Sequence, residues 1–208
     1  MFFNHYSPKI IIMKKQFSKL TLGLLGLTLT VFIFSSCQKN TDMPALDESS
    51  IESTKKGAPA PSDVTITEIA ISAGFTELVD ALTYVDTALN AGLIDELSGT
   101  KQYTVFAPNN QAFEDLYAAL GVSAITDLPA PLVLDVLLYH VTNGRRASNS
   151  VVPKKGTKII QTLAKKSFSV NPMAEITAIG SSAQIIDPDY SASNGIVHII
   201  DGVLLPIE

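Results

Sequence analysis

The sequence predicts an α+β domain with helices in its first half and short strands mainly in its second half. Between Asp63 and Val141, apolar residues recur at helical intervals, and glycine or proline separates the helical stretches. After Gly144 the pattern changes to short β-prone runs separated by turns. No internal repeat interrupts either half. We therefore expect a single domain whose helices pack on a mostly antiparallel sheet.

The helical half begins at a capping-box spacing, because Glu68 follows Thr65 by three residues. Gly74 punctuates the pattern after this first helix, and Gly92 and Gly99 end later helical pieces. A second helical face is predicted to be buried, and its residues are Phe75, Leu78, Val79, Leu82, Leu89 and Leu93.

A short strand is predicted next, over Gln102–Phe106, and Pro108 stops it. Either Asn109 or Asn110 can cap the following helix, which Gly121 ends. The predicted buried stripe of that helix consists of Phe113, Leu116, Tyr117 and Leu120. The apolar face of a third helical run, which follows two prolines, consists of Leu134, Leu137, Leu138 and Val141.

Six short strands are predicted in the second half or at its end. They are Lys158–Leu163, Lys166–Val170, Glu175–Ile179, Gln184–Asp187, Ile196–Ile200 and Val203–Leu205. A turn at Ser193–Gly195 precedes a strand that is almost wholly apolar. Such a strand is expected at the centre of the sheet, where both of its faces are covered.

The N-terminus has the parts of a secretory signal. Lys14, Lys15 and Lys19 precede the apolar stretch Leu20–Phe34, which is shorter than the roughly 20 residues of a membrane-spanning helix. Ser35 and Ser36 then precede Cys37, the single cysteine. This arrangement resembles a bacterial lipobox, in which the cysteine is lipidated and becomes the first mature residue. The alternative is a buried free cysteine at the end of an uncleaved helix.

The sequence divides into three parts. Residues 1–36 are predicted to be a lipoprotein signal peptide, with Met13 as an alternative start, and residues 37–62 the lipidated cysteine with a flexible linker. A linker of this length has an end-to-end distance of roughly 25–30 Å. The domain is expected over residues 63–208. Removal of the leader takes four lysines from the 15 basic residues and none of the 20 acidic ones, so the formal net charge changes from −5 to −9.

Several chemical classes are disfavoured. One cysteine excludes an internal disulfide framework and a cysteine-rich zinc site, and the acidic balance argues against a nucleic-acid partner. We find no nucleophile elbow, P-loop, dinucleotide fingerprint or paired-histidine zinc motif. Asp187, Asp189 and Asp201 are interpreted as turn residues rather than a calcium site. We therefore expect no cofactor, no metal and no enzyme, with a hydrolase of unrecognised site as the weakest alternative.

A basic tract lies inside this acidic protein. No acidic residue occurs from Val136 through Ala174. The basic residues there are Arg145, Arg146, Lys154, Lys155, Lys158, Lys165 and Lys166. One interpretation is a solvated hairpin edge that lysines protect from aggregation. The other is a contact for an anionic partner, such as an acidic glycan or a headgroup phosphate, made by Arg145, Arg146, Lys154, Lys155 and Lys158.

Three segments make the sequence similar to a fasciclin domain. They are Tyr103–Phe113 (YTVFAPNNQAF), Leu137–Val141 (LLYHV) and Ser193–Pro206 (SNGIVHIIDGVLLP). They follow the family's order and spacing, and the resemblance covers about residues 64–207. Two small departures are Asn109, where serine or threonine is common, and Gln111, where glutamate is common.

The resemblance implies a fasciclin-like fold, in which N-terminal helices pack on a sheet or wedge. It also implies a non-catalytic adhesion or protein-interaction module. Together with the lipobox-like Cys37, this predicts a module anchored in the cell envelope, most simply at the outer membrane of a Gram-negative-type bacterium. The alternative function is an accessory lipoprotein that binds a glycan or another ligand. The family's tyrosine–histidine pair has been tied to cell-surface receptor binding, which the resemblance implies for Tyr139 and His140. The alternative is that both side chains are buried and satisfied in the core, as is also expected for His198.

Overall fold

The computed structural model describes residues 59–207. The predicted signal peptide, Cys37 and most of the predicted linker lie outside these residues. The helices are α1 (Ile66–Ser72), α2 (Thr76–Leu89), α3 (Leu93–Ser98), α4 (Asn110–Leu120), α5 (Ala130–Tyr139) and α6 (Ser148–Val151), with a 3₁₀ turn at Ile125–Asp127. The strands are β1 (Tyr103–Pro108), β2 (Val141–Asn143), β3 (Lys158–Gln161), β4 (Ser167–Val170), β5 (Glu175–Thr177), β6 (Ser182–Ala192) and β7 (Gly195–Ile200). The predicted α+β class is therefore confirmed.

Local sequence signals start two of the helices. At α1, the Thr65 hydroxyl accepts a hydrogen bond from the Glu68 amide (3.3 Å), and the Glu68 carboxylate accepts one from the Thr65 amide (2.7 Å). At α4, Asn109 is the capping residue, because its side-chain oxygen accepts from the Ala112 amide at 2.9 Å. Asn110 instead connects two helices, since its side-chain oxygen accepts from the Glu77 amide at the start of α2.

One seven-stranded sheet has the order β2-β1-β7-β6-β5-β4-β3. All neighbouring strands are antiparallel except β1 and β7, which run parallel from Tyr103 opposite Gly195 to Pro108 opposite Ile200. The predicted central position of the apolar strand after Gly195 is confirmed, because β7 lies between β1 and β6.

The two edge strands of the sheet approach each other. The Thr142 hydroxyl of β2 donates to the Gln161 carbonyl of β3 at 2.7 Å, and the Leu163 amide donates to the Val141 carbonyl at 2.8 Å. These bonds bring the ends of the sheet together, so the sheet curls into a wedge that almost closes.

The alternation of strand side chains divides the apolar interior into two cores. Tyr103, Val105 and Ala107 of β1 pack with the helices in a helix-side core. Phe106, between them, points into a strand-side core that the curled sheet encloses. There its ring meets Phe168 edge to face, with centroids 5.0 Å apart. Both faces of β1 are therefore covered, and every residue of this strand is buried.

Strand predictions differ most from the structure at two places. Val203–Leu205 forms no strand; instead its amides bond to side chains, Leu204 to the His140 ring (2.9 Å) and Leu205 to the Ser181 hydroxyl (2.8 Å). The strand predicted to end at Asp187 continues to Ala192 as β6. Register shifts around Asp187 admit the following proline without ending the strand.

Within residues 59–207, no single helix has the length and hydropathy needed to cross a membrane. Asn110–Asp127 and Ala130–Tyr139 meet that criterion only as a pair, and the two segments bend by 112° at the break between them.

Candidate functional site

Tyr139, one half of the predicted binding pair, is the last residue of α5 and is completely buried. Its ring packs edge to face against Phe168 in the strand-side core, with centroids 5.9 Å apart. Its hydroxyl donates to the Ser167 carbonyl at 2.8 Å. Burial raises the pKa of this phenol above its ordinary value.

His140, the other half, caps the C-terminus of α5 and is 3% exposed. Its Nε2 accepts from the Leu204 amide at 2.9 Å, and its Nδ1 lies 2.7 Å from the Val136 carbonyl. A backbone amide can only donate, so Nε2 must carry the lone pair and Nδ1 the proton. Burial lowers the pKa of His140 to about 4, which keeps the ring neutral near pH 7.

Both side chains therefore lie inside the domain with their polar atoms bonded. This geometry agrees with the alternative that the sequence left open, in which the pair is satisfied in the core. A role in receptor binding stays a prediction, and these two side chains offer almost no surface for it.

His198 is also fully buried, on the sheet face opposite the helices. Its Nδ1 accepts from the Asp189 amide at 3.2 Å, and its Nε2 lies 2.9 Å from the Arg146 carbonyl, to which it donates. Burial lowers the pKa of His198 as well. As with His140, neither ring nitrogen is left for another partner.

A serine, an aspartate and this histidine come close together without forming a nucleophile–base pair. The Ser148 hydroxyl donates to the Asp189 carboxylate, and the Ser148 amide donates to the same group at 2.7 Å. The imidazole of His198 bonds the Asp189 backbone and not the Ser148 hydroxyl, so this histidine is not placed to act as the base for the serine. In residues 59–207, no cluster of three or more histidine, cysteine or carboxylate side chains is placed to hold a metal.

Arg145, a predicted anion contact, serves as an internal clamp. Its guanidinium donates to the Ala192 (2.8 Å), Gly195 and Pro59 (3.0 Å) carbonyls and to the Ser191 hydroxyl. Four of its five N–H donors are thereby engaged. These bonds hold the start of the described chain against the turn between β6 and β7, which argues against Arg145 as a contact for an anionic partner.

The rest of the basic tract divides between paired and unpaired residues. Arg146 donates to the Asn143 carbonyl (3.1 Å), Lys158 to the Ser150 carbonyl, and Lys166 forms an ion pair with Asp135 (2.8 Å). Among the predicted anion contacts that the structure describes, those left exposed with neither a hydrogen bond nor an ion pair are Lys154 and Lys155. The candidate site for an anionic partner is therefore limited to Lys154 and Lys155, in the loop before β3.

The structure also contains an apolar cavity that the sequence reasoning did not find. It has a volume of about 140 Å³ and lies among α2, α4, α5 and the C-terminal segment. Leu120, predicted to be buried, is 50% exposed at this place. The feature of the sequence that could have indicated a cavity is α5, because its run from Leu132 to Leu138 is apolar on nearly every side.

The known protein family that matches this chain is the fasciclin domain, over residues 73–206. The chain belongs to the fasciclin domain family. A relative from Synechocystis, Protein sll1483, is 30% identical over 79% of this chain and 88% of its own length. Human periostin is 27% identical over 69% of this chain, and the immunogenic protein MPB70 of Mycobacterium bovis is 37% identical over 55%.

The fasciclin relatives differ greatly in length. The matched region spans only 17% of periostin and 54% of MPB70. Among solved structures, a FAS1 domain pair from the insect cell adhesion molecule Fasciclin I is similar over 62% of this chain and 45% of that chain, with 20% identity and a TM-score of 0.45.

Proposed function

We propose that this protein is an adhesion or protein-interaction module of the cell envelope, held to the membrane by a lipid on Cys37 and without catalytic activity. The observation that carries the proposal is the bonding of the two described histidines, His140 and His198. All four of their ring nitrogens have partners inside the domain. Function is therefore assigned to the outer surface.

The clamp at Arg145 supports the anchored arrangement. It holds the chain at Pro59, and 21 residues separate Pro59 from the lipobox-like Cys37. A polar linker of that length has an end-to-end distance of roughly 25 Å. The domain would then stand clear of the lipid headgroups with its surface free for a partner. Because one acyl chain anchors weakly, the several chains of a mature lipoprotein cysteine suit this task.

The anchor is tested by metabolic labelling with palmitate. Label on the full chain is expected to disappear in Cys37→Ser, and the variant protein to leave the membrane fraction. Ser50→Ala, in the predicted linker, is the control and should keep both label and fractionation. Label that persists in Cys37→Ser would refute the lipid anchor while leaving the interaction role open.

The interaction role is tested separately, by crosslinking intact cells that carry the full chain and identifying what is captured. A surface protein captured reproducibly, and lost when the chain is deleted, is the expected result. Reduced cell–cell aggregation of the deletion strain would support adhesion in particular. Capture of soluble substrates or of no partner, with aggregation unchanged, would contradict the proposal.

A second candidate function is binding of an acidic glycan, and the exposed pair Lys154 and Lys155 favours it. Both ammonium groups lie in the loop before β3 with no partner in the described residues. The double change to glutamate should abolish binding on an acidic glycan array, and added salt should weaken the binding of the unchanged protein. Lys165→Glu is the matched control, because Lys165 is exposed at the opposite end of β3. Equal loss in the control would exclude the loop as a specific site.

A further inference from the structure

The apolar cavity is built by four separate parts of the fold. Leu116 of α4 and Val136 of α5 form its walls, and Leu205 of the C-terminal segment closes one side. Leu120 and Ile207 stand at its mouth, exposed by 50% and 44%. A cavity that opens to solvent through exposed apolar side chains presents a path for an apolar group to enter.

The lining offers no hydrogen-bonding group. Its one polar residue is His140, and both nitrogens of that ring are already bonded, to Val136 and Leu204. A polar group inserted here would lose its water without gaining a partner, at a cost of roughly 1–3 kcal/mol or more. Whatever enters the cavity must therefore be hydrocarbon over its inserted length.

The size of the cavity limits how much hydrocarbon it can take. Its volume of about 140 Å³ is close to that of an engineered apolar cavity that stays dry and binds benzene. This space accepts the terminal segment of an alkyl chain. The next carbons would then lie against Leu120 and Ile207 at the mouth, with the head of the molecule in water.

The charge of the surrounding helices selects among such molecules. From Ile66 to Val141 the chain carries ten acidic residues and a single basic one, Lys101, which is paired with Glu96 at 2.7 Å. This part of the chain therefore has a negative net charge, which disfavours a carboxylate or phosphate head. We propose that this cavity binds the alkyl chain of a single-chain amphiphile whose head carries no negative charge. The inference stands on the cavity alone and does not depend on the proposed anchor or partner.

The test is a titration of the full chain, carrying Cys37→Ser so that no lipid of its own competes, with n-decanol. Methyl resonances of leucine, valine and isoleucine are followed by NMR. Shifts are expected at Leu116, Val136 and Leu205 and not at Ile159, which lies exposed on β3. Across a series of shorter alcohols, affinity should rise about fourfold for each methylene until the cavity is full.

The electrostatic part is tested with two probes of equal chain length. Decanoate should bind several times more weakly than decanol at low salt, and the gap should narrow as salt is added. Equal binding of the two probes at low salt would overturn the selection against an anionic head.

Two variants test the site itself. Val136→Phe fills the cavity and should reduce decanol binding at least tenfold. Leu120→Gln changes only the mouth and should weaken binding by a smaller factor, so it serves if the first variant folds poorly. Leu89→Gln is the matched control, because Leu89 also ends its helix and is 40% exposed but does not line the cavity.

Three results would overturn the proposal. The lining methyls could fail to shift, or Leu120→Gln and Leu89→Gln could weaken decanol binding equally. The same methyls could also shift with protein concentration in the absence of decanol, which would make a second copy of the chain the occupant.

Discussion

The amide of Leu204 donates a hydrogen bond to the Nε2 of His140 at 2.9 Å, across 64 residues of sequence. This bond ties the last turn of α5 to the C-terminal segment and orients the imidazole so that its other nitrogen reaches Val136. A residue in the motif that resembles a receptor-binding pair thus holds together two parts of the fold. Its charge state must therefore affect stability.

Acid should destabilise the protein through His140. The folded pKa is about 4 and the ordinary value 6.5, so between these values the unfolded chain binds a proton that the folded chain excludes. Stability from this group is complete above pH 6.5 and is lost as the pH falls toward 4, by about 3 kcal/mol in all. Urea unfolding at pH 7 and at pH 4.5 measures the loss.

His140→Gln isolates that effect, because glutamine keeps a side-chain acceptor but does not titrate. The variant should be less stable at pH 7 yet lose clearly less free energy of unfolding on acidification. His198, whose pKa is also lowered by burial, remains in both proteins and contributes equally to each. An identical pH dependence for the two proteins would contradict the assignment.

Asn194 should be among the polar positions where substitution destabilises the fold most. Its side chain is buried, accepts from the Ile66 amide (2.9 Å), and donates to the Leu97 (2.7 Å) and Gly99 (2.9 Å) carbonyls. Asn194→Ala leaves these backbone groups without their partner and should cost about 2–4 kcal/mol in the free energy of unfolding. Asn143→Ala, on the exposed end of β2, should change it by no more than about 0.5 kcal/mol.

Arg145→Lys should loosen the start of the domain, because lysine keeps the charge but cannot replace the four bonds of the guanidinium. We expect a loss of about 1–2 kcal/mol, reduced from the usual value for charged hydrogen bonds by partial exposure. Limited proteolysis should cut near Pro59 sooner than in the unchanged protein. The comparison is Arg146→Lys, whose guanidinium makes a single bond to Asn143. Cleavage of both variants at the same rate would argue against the clamp.

Gly195 should tolerate no side chain. A Cβ there would lie 2.0 Å from the Tyr103 carbonyl oxygen and 2.8 Å from a methyl of Ile66. The parallel pairing of β7 with β1 permits no retreat of the backbone oxygen, so Gly195→Ala should fail to fold or melt at a much lower temperature. Gly156→Ala, in open space but at a φ of +69°, should cost only about 1 kcal/mol by circular dichroism melting. Near-normal melting of Gly195→Ala would mean that the strands are paired differently.

Local signals predicted the elements that depend on neighbouring residues. The capping box at Thr65, the cap at Asn109 and the apolar strand after Gly195 are all present, since each rests on contacts within a few residues or on a continuous apolar run. The elements that were predicted wrongly depend on distant partners. Val203–Leu205 has the composition of a strand, but the nearest acceptors for its amides are side chains of His140 and Ser181.

The candidate sites divide in the same way. The basic tract was predicted from the sequence, because charged residues can be counted without knowledge of the fold. Only the structure separates Arg145, enclosed by carbonyl oxygens, from the exposed loop lysines Lys154 and Lys155. The apolar cavity could not be located beforehand, because its walls come from three helices and the C-terminal segment, and even the apolar run of α5 has by itself the pattern of an ordinary core helix.

By itself, then, the sequence determined the fold class, the family and the lipobox-like start, which are written in local patterns and motifs. Tertiary structure decided which polar side chains are available to a partner. A polar side chain is available only if no donor or acceptor inside the folded chain bonds to it. Many of those bonds join residues that are far apart in the sequence. His140 and Leu204 show this most directly, because the sequence around neither residue reveals that the Leu204 amide bonds to the His140 ring.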